Sequence, residues 1–423
     1  MEYSEKVTTK GITLTDEFIS ILEKLENTSS NFFITGNAGT GKSTIIELFR
    51  AQTKKNIVIL APTGLAANNV RGQTIHSFFR FPPKLMDREA VQNIRVYGDL
   101  YQKIDTIIID EASMVRADLL DAVDMFLRAK GRDPFLPFGG IQVILVGDLF
   151  QLPPVVTHQE IEYITEKYDS PYFFAAHAYD GSFETATMNH IFRQEDENFI
   201  TVLNNIRKGS VSQDDLDFIN TRVTDTEHPT SVTLTSINKI ADSINNRQLN
   251  QLESTSRTYV ADMDGEMREN ENNLRIPIEL ELKKGARVMF TRNSDEWVNG
   301  SLGEVVNLDD SIIVKLDDGD EVEVGKEKWE KIKYSYDKER DEIKEETVWS
   351  MKQFPLRLAY AITIHKSQGM TFENININLQ RAPFTHGQTY VALSRAKSLK
   401  GLHLSRELRR EDVITDTRIV EFG

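Results

Sequence analysis

Four short apolar runs punctuate the first part of the chain: NFFIT at 31–35, NIVILA at 56–61, TIIID at 106–110 and QVILVGD at 142–148. Each is rich in β-branched residues, bounded by turn formers, and apolar throughout rather than alternating. That is the pattern of strands buried on both faces of a parallel sheet. Between them, Lys42–Gln52, Leu65–Val70 and Val115–Lys130 repeat apolar residues at helical spacing. The alternation predicts a doubly wound parallel sheet over residues 1–185. After Met188 the pattern resets. NFITVLNNIRKG carries Phe199, Val202, Leu203 and Ile206 at helical spacing and stops at a glycine. DDLDFINTR reads as another helix, SVTLTS as a strand and NKIADSINNRQLNQL as a third helix.

From Ala286 to Ser350 the periods shorten. ARVMFTR, GEVVNL, SIIVKL and DEVEVG read as short antiparallel strands joined by NGSLG and DDGD turns, a small barrel. The charged stretch KEKWEKIKYSYDKERDEIKEET reads as an extended, solvated hairpin. The α/β pattern resumes from Phe354. The expected organisation is therefore one α/β domain at 1–185, a second at 186–285 and 351–423, and a barrel at 286–350 inserted into the second.

Composition adds limits. The 423 residues suit two to four domains at about 100–200 residues each. No apolar run approaches the roughly 18 residues of a membrane span, and MEYSEKVTTKG shows no signal-peptide core. The reading is thus of a protein with no membrane partner. There is no cysteine, which excludes disulfides and cysteine-bearing zinc sites and suits a reducing intracellular compartment, cytoplasm or nucleoid. The net charge of −15 weighs against a generally basic nucleic-acid binder, so any grip on DNA must be a local groove.

The chemistry begins at GNAGTGKST. Residues Gly36, Asn37, Ala38, Gly39, Thr40, Gly41, Lys42, Ser43 and Thr44 match a phosphate-binding loop, with a strand before it and a helix after. Its glycines let backbone amides turn toward phosphate, and the helix start adds positive potential. Lys42 would reach the β- and γ-phosphates of ATP, and Ser43 would ligate Mg²⁺. TIIIDEAS ends a strand in two carboxylates. Asp110 would hold Mg²⁺ and Glu111 would orient the attacking water, which favours hydrolysis over transfer to a substrate.

Further stretches carry a resemblance. APTGLAANNVRGQTIHSFF (61–79), LVGDLFQLPPV (145–155), IRKGSVSQDDLDFINTR (206–222), IHKSQGMTF (364–372) and QTYVALSRAKS (388–398) resemble, in this order, motifs of superfamily 1B DNA helicases of the PIF-type and RecD-like branch. The resemblance runs from about residue 12 to 405. It implies two RecA-like domains with a small SH3-like barrel in the second, ATP and Mg²⁺ as cofactors, and a motor that unwinds DNA 5′-to-3′. It implies single-stranded DNA and single/double-strand junctions as partners, with a monomer as the default. Gln151, Arg193 and Arg395 would answer to the γ-phosphate across a cleft, with Gly369 at the nucleotide. Thr63, Gly64, His76, Ser77, Phe78, Asn238, Asn245, Thr363, His365, Lys366, Ser367 and Gln368 would line the strand path. Residues 71–88, with Phe81, Pro82 and Pro83, would form a wedge. Two positions depart from the family: Phe18 stands where an adenine-reading glutamine is usual, and Ile237 where threonine is usual. A translocase that tracks a strand without separating duplex is the alternative; a phosphotransferase would have no use for these motifs.

Overall fold

In a computed structural model the protein is described for residues 15–95, 99–194, 196–224, 230–265, 276–297, 299–308, 311–337, 342–379, 383 and 385–422. The N-terminal stretch read for targeting signals lies outside these residues, as do residues 338–341 of the charged stretch. The chain divides into two compact units. The first comprises Met1–Leu149, Pro153–Phe192 and Ile332–Glu346; the second holds Phe150–Leu152, Arg193–Lys331 and Thr347–Gly423.

The first unit contains, in chain order, α1 (Asp16–Asn27), β1 (Asn31–Gly36), α2 (Lys42–Gln52), β2 (Ile57–Ala61), α3 (Gly64–Asn69), β3 (Gln73–Thr74) and α4 (Ile75–Phe79). It continues through α5 (Arg88–Gln92), α6 (Leu100–Lys103), β4 (Thr106–Ile109), α7 (Ala117–Lys130), β5 (Gln142–Gly147), α8 (His158–Lys167) and β6 (Phe183–Met188). The strands form one parallel sheet in the order β3-β2-β4-β5-β1-β6. Every residue of β4 and β5 is buried, as their uninterrupted apolar runs require. The expected border at residue 185 falls inside β6, whose FETATM reads weakly as a strand because this edge strand is largely exposed and carries no apolar run. α1 starts where Thr15 caps the Phe18 amide, with Asp16 and Glu17 in its first turn. Its Phe18, Ile21, Leu22 and Leu25 recur at helical spacing and close the core against α2.

The second unit runs through α9 (Glu197–Lys208), α10 (Gln213–Asn220), β7 (Val232–Thr235), α11 (Asn238–Gln251), β8 (Arg257–Val260), β9 (Asp262–Asp264) and β10 (Glu279–Leu282). It goes on with β11 (Arg287–Phe290), β12 (Leu302–Asn307), β13 (Ile312–Leu316), β14 (Glu321–Val324), β15 (Glu327–Asp337), β16 (Glu342–Gln353) and β17 (Leu356–Leu358). It ends with β18 (Ala361–Thr363), β19 (Ile375–Ile377), α12 (Gln388–Leu393), β20 (Leu402–Leu404) and α13 (Thr417–Phe422). A parallel sheet, β18-β7-β19-β20, supports its site. The expected barrel strands form an antiparallel sheet, β14-β13-β12-β11-β17, around Val288, Phe290, Trp297, Val305 and Val314.

The charged stretch is the hairpin β15–β16, but it is not merely solvated. Its part at Ile332–Glu346 groups with the first unit. There the Tyr334 hydroxyl accepts from the Ile59 amide at 3.3 Å, and Gln73 donates through Nε2 to the Ile332 carbonyl. β3 is too short to satisfy the whole edge of β2, and the tyrosine serves the donor left over. Among the described residues no helix is long and apolar enough to cross a membrane.

Candidate nucleotide and strand-binding site

The loop Gly36–Ser43 joins β1 to α2 as the sequence predicts. Lys42 is the first residue of α2, and its Nζ folds back to donate to the carbonyls of Gly36 and Asn37, both at 2.8 Å. Thr40, buried, donates through Oγ1 to the Asn37 carbonyl at 3.0 Å. Gly41 caps the helix at φ +87°, and a Cβ there would meet Phe18 Cζ at 2.7 Å. Only glycine accepts both that dihedral and that approach. The loop is thus formed in advance, with Ser43 exposed and Thr44 half-buried in the first turn of a helix long enough to carry a useful dipole. A cation resting on neutral carbonyls can be drawn off by a phosphate, which fits a nucleoside triphosphate here. Ala38 is buried, while Asn37 and Gly39 contribute backbone; the Gly39 carbonyl accepts from the Phe192 amide at 2.9 Å.

Asp110 follows β4 and is buried. Burial pushes its carboxyl up to about 6, against the opposing pull of the Glu111 amide and of the Lys42 charge. The influence of Lys42 shows that the structure brings loop and carboxylate together. Mg²⁺ takes one or two protein ligands and the rest from phosphate and water, and Ser43 with Asp110 suits that demand. Among the described residues no group of three or more His, Cys, Asp or Glu could hold a metal by itself. Glu111 is half-buried at φ +51°, a left-handed conformation costly for a non-glycine residue and frequent at functional positions.

Phe18 does not replace the missing glutamine. It is 2% exposed, supports Gly41 from beneath, and meets the exposed Phe192 edge-to-face at 6.1 Å. It is a wall of the loop, not a reader of a base edge.

In the second unit Arg193 donates through Nη1 to the Ser394 carbonyl at 3.0 Å, and Gln194 donates to the carbonyls of Ser394 and Ala396. Burial first, then the charge of Arg395, pushes Arg193 down to about 9. Arg395 is 1% exposed. It donates to the carbonyls of Val391, Ser367 and Met370 and to the Ser394 hydroxyl. These bonds tie α12 to the turn after β18. Gln151 is buried, and Gly369, exposed at φ +78°, lies in that same turn.

The expected strand contacts divide. Thr63 caps α3 by accepting from the Ala66 amide at 3.2 Å, and Gly64 opens that helix, both half-buried. Ser77 is exposed in α4, and His76 is half-buried, held below its usual range by burial and by Arg116. Phe78, expected on the strand path, is 5% exposed and corrected to core. It packs edge-to-face on Phe79, Tyr101 and Tyr334. Phe81 is corrected likewise: its ring stacks on Phe79 at 5.2 Å, so the expected wedge lacks an aromatic tip, although Pro83 is exposed.

In the second unit His365 and Lys366 are half-buried and lowered from their ordinary values, chiefly by burial; Lys366 also feels Arg357, a cation the motifs do not include. Gln368 has its Nε2 buried without a hydrogen-bond partner among the described residues, a donor free for a ligand. Thr363 and Ser367 are buried and structural, the threonine accepting from the Lys366 amide at 3.4 Å and the serine donating to the Ile364 carbonyl at 2.8 Å. Asn238 is exposed at the start of α11. Asn245, expected beside it, is 7% exposed and corrected: it donates to the Ala361 carbonyl at 2.8 Å and accepts from the Ala361 amide at 2.9 Å. Ile237 costs the turn nothing, because the Thr235 hydroxyl bonds both its amide and its carbonyl.

Comparison with known proteins bears on this arrangement. The model of the PIF1-like helicase family matches residues 13–217. The ATP-dependent DNA helicase Pif1 of Bdellovibrio bacteriovorus is 36% identical over 426 residues, covering 97% of this chain and 92% of that protein. The Bacteroides sp Pif1 crystal structure in complex with ADP-AlF4 superposes with a TM-score of 0.88 at 34% identity, covering 97% of this chain and 96% of that one. Bacteroides Pif1 bound to ssDNA gives 0.69 at 35% identity with the same coverage.

Proposed function

The chain belongs to the PIF1-like helicase family, as an ATP-hydrolysing DNA helicase, and from that premise we propose that it travels 5′-to-3′ along single-stranded DNA. On this reading it acts as a monomer at single/double-strand junctions, in the cytoplasm or nucleoid, and parts duplex or structured DNA during replication, repair or recombination. One observation supports the coupling of hydrolysis to strand movement: the Arg395 guanidinium bonds the carbonyls of Ser367 and Met370. The turn bearing His365, Lys366 and Gln368 is thereby tied to the arginine pair Arg193 and Arg395. A phosphate that pulls on the pair pulls on the turn that grips the strand.

The residues then have distinct tasks. Lys42 and the loop amides hold the triphosphate, and Ser43 and Asp110 hold Mg²⁺, which screens the phosphate charges when bound. Glu111 orients the water. Arg193 stabilises charge on the transferred phosphoryl, Arg395 links it to the turn, and Gln151 reports whether the γ-phosphate is present. Thr63, Gly64, His76, Ser77, Asn238, His365, Lys366 and Gln368 hold the strand by phosphate and edge contacts rather than by stacking on Phe78.

The buried Phe81 favours a second reading, in which the protein moves along a strand without processive separation. Forked duplexes with a 5′ or a 3′ tail distinguish them. Unwinding of the 5′-tailed fork alone supports the proposal. Unwinding of the 3′-tailed fork alone overturns the direction. Strand-stimulated ATP hydrolysis with no unwinding of either selects the translocase.

A further inference from the structure

Within the second unit, Gln151 is supported by residues that none of the nucleotide motifs assigns. Phe150 and Gln151 are both buried. The Arg207 guanidinium lies over the Phe150 ring, 4.0 Å from its centroid, and the His386 ring stands 6.4 Å away. His386 accepts the Asp416 amide at Nδ1, 2.9 Å, which orients its ring. Gly387 sits at φ +70°, and a Cβ there would fall 2.4 Å from both the Phe150 and the Gln151 carbonyl oxygens. Those oxygens are backbone and cannot swing aside.

Gly387 also begins α12. Its carbonyl accepts the Val391 amide at 2.8 Å, and its amide donates to the Ile414 carbonyl at 3.1 Å. α12 leads directly into Ser394 and Arg395, and α9, which carries Arg207 in its last turn, packs against it. The backbone of Gln151 is therefore seated on the helix that orients the arginine pair, and Arg207 holds the seat closed from the α9 side.

We propose that Arg207 and Gly387 are positioning residues for Gln151. They fix the height of its backbone over α12, so that its carboxamide and Arg193 address the same γ-phosphate. This rests on the reading of Gln151 as the γ-phosphate reporter. A half-buried arginine on an aromatic face is a strong cation–π contact, and its loss would let the segment drift without unfolding the unit. Positioning errors of this kind lower turnover more than nucleotide affinity.

The test is steady-state ATP hydrolysis by the full chain with saturating oligo-dT. Arg207→Leu should lower kcat roughly tenfold with little change in KM for ATP, and Arg207→Lys, which keeps a cation over the ring, should recover most of it. Gly387→Ala should lower kcat at least as far. In a double-mutant cycle Arg207→Leu should cost nothing further once Gln151→Ala is present. The proposal is overturned if Arg207→Leu turns over like the wild type, if lysine does not rescue it, or if its cost persists in the Gln151→Ala background. A Gln151→Ala variant with wild-type kcat would instead remove the reading on which the proposal stands.

Discussion

Arg193 is held close enough to Arg395 for the second charge to bear on the first, and both donate to Ser394, Arg193 to its carbonyl and Arg395 to its hydroxyl. With burial, this lowers Arg193 to about 9. A lowered cation pKa means that the folded state disfavours the charge. The cost is fully present below about pH 9 and fades as the pH rises toward the ordinary arginine value. Arg193→Gln should therefore leave Tm at pH 7.5 unchanged or higher, while ATP turnover falls by about 10³ or more, as for other arginines that act on a transferred phosphoryl. A bound γ-phosphate restores the proton. Thus kcat/KM should decline above about pH 9, and kcat only at higher pH. A substitution that lowers Tm by several degrees without affecting turnover would contradict the assignment.

Asp110 titrates from the other direction. Burial raises it to about 6, so the charge needed for Mg²⁺ is lost as the pH falls through that value. Apparent Mg²⁺ affinity in the presence of ATP should weaken below pH 6, and excess Mg²⁺ should carry the acid limb of kcat/KM to lower pH. The ionised form costs the fold stability that develops between the ordinary carboxylate range and about 6 and persists above it. Asp110→Asn should therefore keep or raise Tm at neutral pH while its Mg²⁺ dependence disappears. Thermal melts check the first, and isothermal titration with Mg²⁺ and a non-hydrolysable ATP analogue checks the second.

Lys42 donates at rest to the loop carbonyls of Gly36 and Asn37. The loop is set by Gly41 and Thr40, not by the ammonium. Lys42→Ala should fold normally by circular dichroism. Hydrolysis should fall by at least about 10², the scale of losing one preorganised charge contact in a transition state. Near-wild-type turnover would remove the loop from the chemistry.

Much of this fold is legible because its signals are local. β-branched runs specify β1, β2, β4 and β5, and the loop glycines specify the turn into α2. The loop and strand-end motifs assign Lys42 and Asp110 to one site, and in the structure the charge of Lys42 bears on the Asp110 carboxyl. What sequence patterning misses is where a side chain spends its hydrogen bonds or its ring. Asn245 and Ser367 are polar letters in a strand-binding motif, yet both are committed to backbone. Phe78 is read onto the strand path because its partner Tyr334 lies far downstream in a stretch whose charge suggests only solvent. Arg207 reads as an ordinary helix-ending cation, and nothing in sequence spacing reveals Phe150 beneath it.

Asn238 and Asn245 lie on the same helix and separate the two roles cleanly. Asn245→Ala leaves the Ala361 amide and carbonyl buried without their partners, at about 2–4 kcal/mol for the pair of bonds. It should lower Tm distinctly, and protein that remains folded at low temperature should bind oligo-dT as the wild type does. Asn238→Ala removes only an exposed amide. Its Tm should stay within a degree or so, since exposed substitutions usually change stability by less than about 0.5 kcal/mol. Its oligo-dT affinity should fall severalfold, as expected for one lost polar contact of about 1 kcal/mol. Fluorescence anisotropy with labelled oligo-dT, read beside thermal melts, checks both. The opposite result, a stable Asn245→Ala that binds poorly, would return Asn245 to the strand path and overturn its assignment as the bridge between α11 and β18.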